Sequence, residues 1–202
     1  TAGIDNPTIL KSQAYAGTFN IETGATAITK ALNGAVAYQG EGNLILNGPL
    51  TGNVDFAGNN GTLTVGSGQM ITGNVDNSKI STSASSGILN LEGGTVDGNV
   101  GSTNRINLLE VSAGTNNIIT GTTKVNNIYF ANPQGTAATL DLEGLSTVNG
   151  SITTASDYTN TLTVNQDFNT SAQSVGSSTN RLRSVKLGGN NTLAIDSANF
   201  YS

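Results

Sequence analysis

The 202-residue chain contains no cysteine, no histidine and no tryptophan. Without cysteine there is no thiol nucleophile, no disulfide framework and no Cys/His zinc site. Without histidine there is no imidazole general base and no Ser-His-Asp triad. Charged residues make up 10% of the chain and aromatics 5%. The net charge of -5 argues against nucleic acid or anionic lipid as the main partner, because both are bound through Lys and Arg. No stretch approaches the roughly 18 apolar residues of a spanning helix. No basic segment followed by an apolar run opens the chain. We therefore expect no membrane insertion by this segment. It starts without Met and reads as a mature fragment of something larger. Lack of cysteine suits a chain exported through an envelope, where a stray disulfide would hinder transit.

Hydrophobic residues are only 36%, but they are Val, Ile and Leu in short runs. Disordered chains combine low hydrophobicity with high charge, so the scarcity of charge here favours a folded chain. What is abundant is Gly, Asn, Ser and Thr, together roughly half of all residues.

These residues are organised by a repeat. One pattern is a small or polar residue, any residue, Leu or Ile, any residue, then an apolar residue or Thr. It occurs at Gly42–Leu46, Gly61–Val65, Gly87–Leu91, Asn116–Thr120, Ala138–Leu142, Asn160–Val164 and Asn191–Ile195. The starts average about 25 residues apart, within the range of stacked architectures. A second pattern, Thr51-Gly52-Asn53-Val54, Thr72-Gly73-Asn74-Val75, Asp97-Gly98-Asn99-Val100 and Asn149-Gly150-Ser151-Ile152, follows in step with the first. The segment Val100–Ile106 also resembles Val175–Leu182, a separation read as three coils.

Apolar residues alternate within each copy, as in Leu63/Val65 and Leu140/Leu142, which marks strands with one face in and one out. Gly, Asn, Asp and Ser bound the runs as turn residues. Thr26 to Leu32 is the one stretch considered for a helix. We expect an all-β chain folded as a right-handed parallel β-helix (solenoid) of roughly eight coils, with a narrow core of inward Leu, Ile and Val. A β-sandwich or surface-layer-like β domain is the structural alternative, kept open by uneven repeat lengths. Asn at equivalent turns is expected to stack in side-chain ladders. Residues 1–41 form an N-terminal segment, a first coil or a cap, and residues 42–202 the repeat β-helix.

Phe56-Ala57-Gly58-Asn59-Asn60-Gly61-Thr62-Leu63-Thr64-Val65, followed by Ile71-Thr72-Gly73-Asn74-Val75-Asp76-Asn77, resembles the passenger of rickettsial surface-antigen autotransporters, the outer membrane protein A and B type. Asp97 to Arg105 and Ser177 to Arg181 have the same look. The resemblance spans approximately residues 42 to 195. It implies a passenger secreted through the outer membrane and displayed on the bacterial cell surface. It also implies a role in host-cell attachment or entry, or in a surface layer. No catalytic residues are carried over.

Candidate sites are few. Asp141 and Glu143 share an outward face and invite comparison with a glycosidase acid/base pair, although two solvated charges are the plainer reading. Glu92-Gly93-Gly94-Thr95-Val96-Asp97 departs from the calcium-binding β-roll pattern at Val96 and does not recur. No metal or other cofactor is expected. Arg105, Arg181, Arg183 and Lys186 are half of the basic residues. On a three-coil spacing they would form a modest patch for acidic glycans. Tyr129, from Tyr129-Phe130, and the Phe200-Tyr201 pair offer outward aromatics for partner contact. The glycosylation-like triplets at Asn60, Asn149 and Asn190 are of a kind common by chance in such a composition.

The reading is thus a non-enzymatic bacterial surface passenger acting in attachment to a host-cell surface protein or glycan, or as a surface-layer scaffold. A spacer with no ligand of its own is the runner-up. A carbohydrate-active β-helix enzyme, which would gather three or more charged groups in one cleft, comes third. Self-association through exposed coil ends is expected of such a rod.

Overall fold

The computed structural model describes residues 8–10, 13–79, 86–170, 174–189, 191–195 and 201. These residues are all-β and contain no helix. Thr26–Thr29 and Leu32–Tyr38 are both strands, so the helix considered over Thr26 to Leu32 does not form. That stretch alternates buried and exposed positions with period two, and pairing with the next coil overrides its local composition.

Among the described residues every strand pairing is parallel, and two sheets of eleven strands run along the molecule, each a path of ten with one further strand paired beside it. The registers resolve these paths into three faces. Leu32–Tyr38 bends round a corner and pairs with both Leu50–Thr51 and Val54–Asp55. Thr123–Phe130 likewise pairs with Ser146–Val148 and Ile152–Thr154. On the first face one inward column runs Ala27, Leu44, Leu63, Leu89, Leu109, Ile128, Ile152, Val175. These eight levels are the turns of a β-solenoid. The second face stacks Leu32, Leu50, Ile71, Val96, Ile119, Leu142, Val164 and Leu187. The third begins with Val36, Val54, Val75 and Val100. Almost all of these side chains are fully buried, in one cluster reaching from Ile21 to Leu182.

Residues 13 to 38 belong to the same stack, since Gln13–Ile21 pairs with Leu32–Tyr38 and Thr26–Thr29 with Asn43–Leu46. Along the first-face column the steps range from 17 to 26 residues. They average about 21, fewer than the repeat spacing in the sequence. The repeat therefore drifts round the rod. The copies at Gly42, Gly61 and Gly87 lie on the first face. Those at Asn116, Ala138 and Asn160 lie on the second, and that at Asn191 on the third. For the same reason Val100 and Val175, expected to be equivalent, stand on the third and first faces. An alternating strand between turn residues reads the same on any face, so the motif marks strands and not angular position.

Of the copies of the second pattern, that at Asn149 has drifted to the corner between third and first faces, while the first three mark the corner between second and third. Here the expected Asn ladder takes a side-chain-to-backbone form. Asn53 Oδ1 accepts the N–H of Asn74 at 2.9 Å, Asn74 Oδ1 that of Asn99 at 2.9 Å, and Asn99 Oδ1 that of Thr122 at 2.8 Å. Where the chain turns, these N–H groups leave the regular ladder and need another acceptor. The preceding glycines, Gly52, Gly73 and Gly98, stack so closely that a Cβ on each would strike the glycine carbonyl one coil below. Gly73 also has φ +149°, which side-chain-bearing residues rarely adopt. Gly61 and Gly87 play a different part. A Cβ there would enter the rings of Tyr38 and Phe56, which stack inside with centroids 4.8 Å apart.

The next corner is held by aspartates. Asp76 accepts from the hydroxyls of Ser102 (2.8 Å) and Thr103 (2.6 Å) and the N–H of Asn77 (2.8 Å). Burial opposes its ionisation, but these hydrogen bonds outweigh burial and hold its carboxyl below the ordinary range.

Two expectations follow. Gly73→Ala places a methyl against the Gly52 carbonyl in a strained backbone, and should cost about 2–3 kcal/mol in equilibrium denaturant unfolding. Asp76 binds protons less readily folded than unfolded. Its stabilisation is therefore complete above the ordinary Asp pKa and is lost as pH falls through the depressed folded value. Unfolding midpoints measured across acidic pH should show a shallower acid-side slope for Asp76→Asn than for the parent.

Candidate functional site

The outward side of the second face carries a shallow groove. In-register pairing sets Met70, Thr95, Ile118, Asp141, Thr163 and Lys186 in one column along the rod. Beside it Thr139, Thr161 and Ser184 form a second column. Two shallow depressions lie over these columns. The first, about 450 Å³, is lined by glycine backbone at Gly68, Gly93 and Gly114, with Met70, Thr95 and Thr115. The second, about 470 Å³, is lined by Thr139, Asp141, Thr161 and Thr163, with Arg183 and Lys186. Thr115 borders both, so the second-face groove is two depressions lying end to end along the rod. Its five coil steps span about 24 Å at the strand spacing.

The strands place hydroxyls here because alternate residues of each strand must face out while Leu140, Leu142, Leu162 and Val164 face in. Thr161 and Ser184 share a hydroxyl hydrogen bond at 3.1 Å, and the Thr139 hydroxyl donates to the Thr115 carbonyl. Asp141 has no ion pair among the described residues, nor do Arg183 and Lys186, both exposed. One ion pair is formed among the described residues, and it lies elsewhere.

That pair is Arg181–Asp157. Arg181 Nη2 meets Asp157 Oδ2 at 2.8 Å, while its Nε and backbone N–H both donate to Oδ1. The guanidinium also lies 3.9 Å from the ring centroid of Tyr158. Hydrogen bonds from Arg181 hold the Asp157 carboxyl below its usual range. Arg181 is therefore engaged within the chain, unlike Arg183 and Lys186. Nothing in the sequence signals Tyr158, which is 48% exposed and sits in a left-handed turn at φ +55°.

The four basic residues are not brought together as one patch. Arg105 stands before Ile106 at the corner of the third and first faces. Its neighbour is Lys124, which precedes Val125, the register partner of Ile106, and donates to the Ser102 carbonyl at 3.3 Å. Arg105 Nε is buried without a hydrogen-bond partner. The three-coil spacing failed here because coil length averages about 21 residues. Register alone reveals Lys124 as the companion of Arg105.

Tyr129 faces outward on the first face between Glu110 and Thr153. Burial, with the charge of Glu92, raises the Glu110 carboxyl above its ordinary pKa. Glu92 itself accepts from Asn90 and Ser112, and Asp97 from Thr120. No group of three or more metal-ligating side chains occurs among the described residues. Glu143 is exposed just beyond Thr139–Leu142 and does not line the groove. Phe200 lies outside the described residues; the Tyr201 N–H donates to the Val175 carbonyl at 2.8 Å.

No family model matches the chain, and no curated protein or solved structure matches it either.

A raised folded pKa at Glu110 means that its ionised form costs stability above that pKa, and nothing at pH values where it is protonated in both states. Glu110→Gln should raise the thermal unfolding midpoint at neutral pH. The gain should vanish below the ordinary Glu pKa, as differential scanning calorimetry would show.

Proposed function

We propose that this chain is a non-enzymatic segment of a bacterial surface passenger of the rickettsial autotransporter type. In this reading it is exported through the outer membrane and acts at the cell surface in attachment to host cells, or as a surface-layer scaffold. The observation that carries the reading is the lengthwise groove on a solenoid face, lined by hydroxyls and by Asp141, Arg183 and Lys186 without ion pairs. A rod of this kind repeats polar contacts at a fixed spacing, and many weak contacts add through multivalency. The polar, acidic composition favours a protein or glycan partner over nucleic acid. Self-association through coil ends belongs to the same reading.

One observation favours a carbohydrate-active enzyme: three charged groups line the second depression. Asp141 and Lys186 are, however, two coils apart, about 9.6 Å at the strand spacing. A single sugar ring would not meet both at its reacting atoms. Binding fits this separation better than acid–base chemistry.

Concentration-dependent binding of the folded protein to cultured mammalian cells, beside a heat-unfolded control, tests the proposal. Saturable binding that disappears on unfolding is expected. Binding no greater than the control would make the segment a spacer, and turnover of a polysaccharide with or without calcium would make it an enzyme.

A further inference from the structure

We infer that the second-face groove binds a linear glycan lengthwise, with an acidic terminal sugar held at Arg183 and Lys186. The inference rests on the attachment reading and names the ligand class for it.

The direction of the groove selects the ligand. It runs along the rod and therefore across the strands. The backbone groups beneath it are already spent between coils: Thr95 N–H donates to Gln69, Ile118 to Gly94, Thr161 to Ala138 and Gly188 to Val164. An extended peptide gains affinity mainly by joining such a ladder, and alternate side-chain pockets then give it specificity. A peptide lying along this groove finds neither a free ladder nor a row of apolar pockets. A polyhydroxylated chain meets what the groove does offer, which is a hydroxyl or carboxylate at successive coils. The Thr139 donor and the Thr161–Ser184 pair are engaged within the chain but keep acceptor capacity, the other Thr hydroxyls can donate once and accept twice, and Asp141 accepts from adjacent sugar hydroxyls.

Charge then fixes the polarity of the ligand. Arg183 and Lys186 lie at one end of the groove, and Asp141 two coils away. The rest of the groove lining carries no cation, and the chain is net negative. A densely sulfated polymer would meet Asp141 and the acidic body of the rod. A chain with one anionic group at its end places that group on Arg183 and Lys186, which form no ion pair among the described residues, and leaves neutral sugars over the hydroxyl columns. Arg181 takes no part, being held by Asp157.

The test is calorimetric titration with a linear lactosamine oligosaccharide ending on sialic acid, and with the same oligosaccharide after sialidase treatment. The parent protein should bind the sialylated form about tenfold more tightly, as expected for the loss of one charge-assisted contact. Arg183→Ser with Lys186→Ser, both exposed, should abolish that preference while keeping residual binding of the neutral chain. Thr163→Trp, filling the groove from an outward position, should weaken both ligands. Its thermal unfolding midpoint should match the parent. Unchanged binding by a folded Thr163→Trp protein, equal affinity of the parent for the two oligosaccharides, or no binding of either would overturn the inference. Cell attachment by the same proteins separates the two levels. Attachment without oligosaccharide binding removes the groove ligand and leaves the attachment reading. Failure of both removes both.

Discussion

The structure depends on hydrogen bonding between consecutive coils at the corners, where regular strand pairing is interrupted. A turning chain would leave N–H groups unpaired beside a dry core, at a cost comparable to a lost hydrogen bond for each. Asn53, Asn74 and Asn99 remove that cost by lending a side-chain oxygen to the N–H one coil further on. The contact requires the backbones to approach closely, and the stacked glycines Gly52, Gly73 and Gly98 permit it. Asp76 serves the following corner, gathering hydroxyl and backbone donors from the next coil.

With the corners secured, the rest follows from strand geometry. Alternation sends Leu, Ile and Val inward, where each side chain meets its equivalent from the neighbouring coil. The core also takes in Tyr38, Phe56, Phe130 and Phe168. Tyr38 and Phe56 fit because Gly61 and Gly87 vacate the space over their rings. The outward residues are then free of packing duties. On the second face they are mainly threonines and a few charges, with Met70 and Ile118 in the same column, aligned by register into the groove.

The legible parts of the fold were those carried by local pattern. Leu63/Val65 and Leu140/Leu142 announced strands, and the Gly and Asn residues between them announced turns. What misled was the assumption that equal motifs occupy equal angular positions. The copies at Gly61 and Ala138 share a pattern but lie on different faces, because coil length and motif spacing differ. The site suffered most from this. Arg183 and Lys186 were legible only as members of a basic group with Arg105 and Arg181, and their meeting with Asp141 and Thr163 arises from pairing across three coils. Lys124 beside Arg105, and Tyr158 beneath Arg181, left no mark in the linear sequence.

The sequence by itself determined the class of architecture: short alternating strands, turn residues at each end and a solenoid of about eight turns. Period-two alternation and close-packed turns are local properties, written in neighbouring residues. Only the tertiary structure decided which copy of a motif faces which way, which charges pair within the chain and which remain free. Those outcomes depend on the number of residues taken by each coil. Coils of 17 to 26 residues keep the same faces in register, so residues added in a turn move a motif relative to the faces without altering the pattern of any strand.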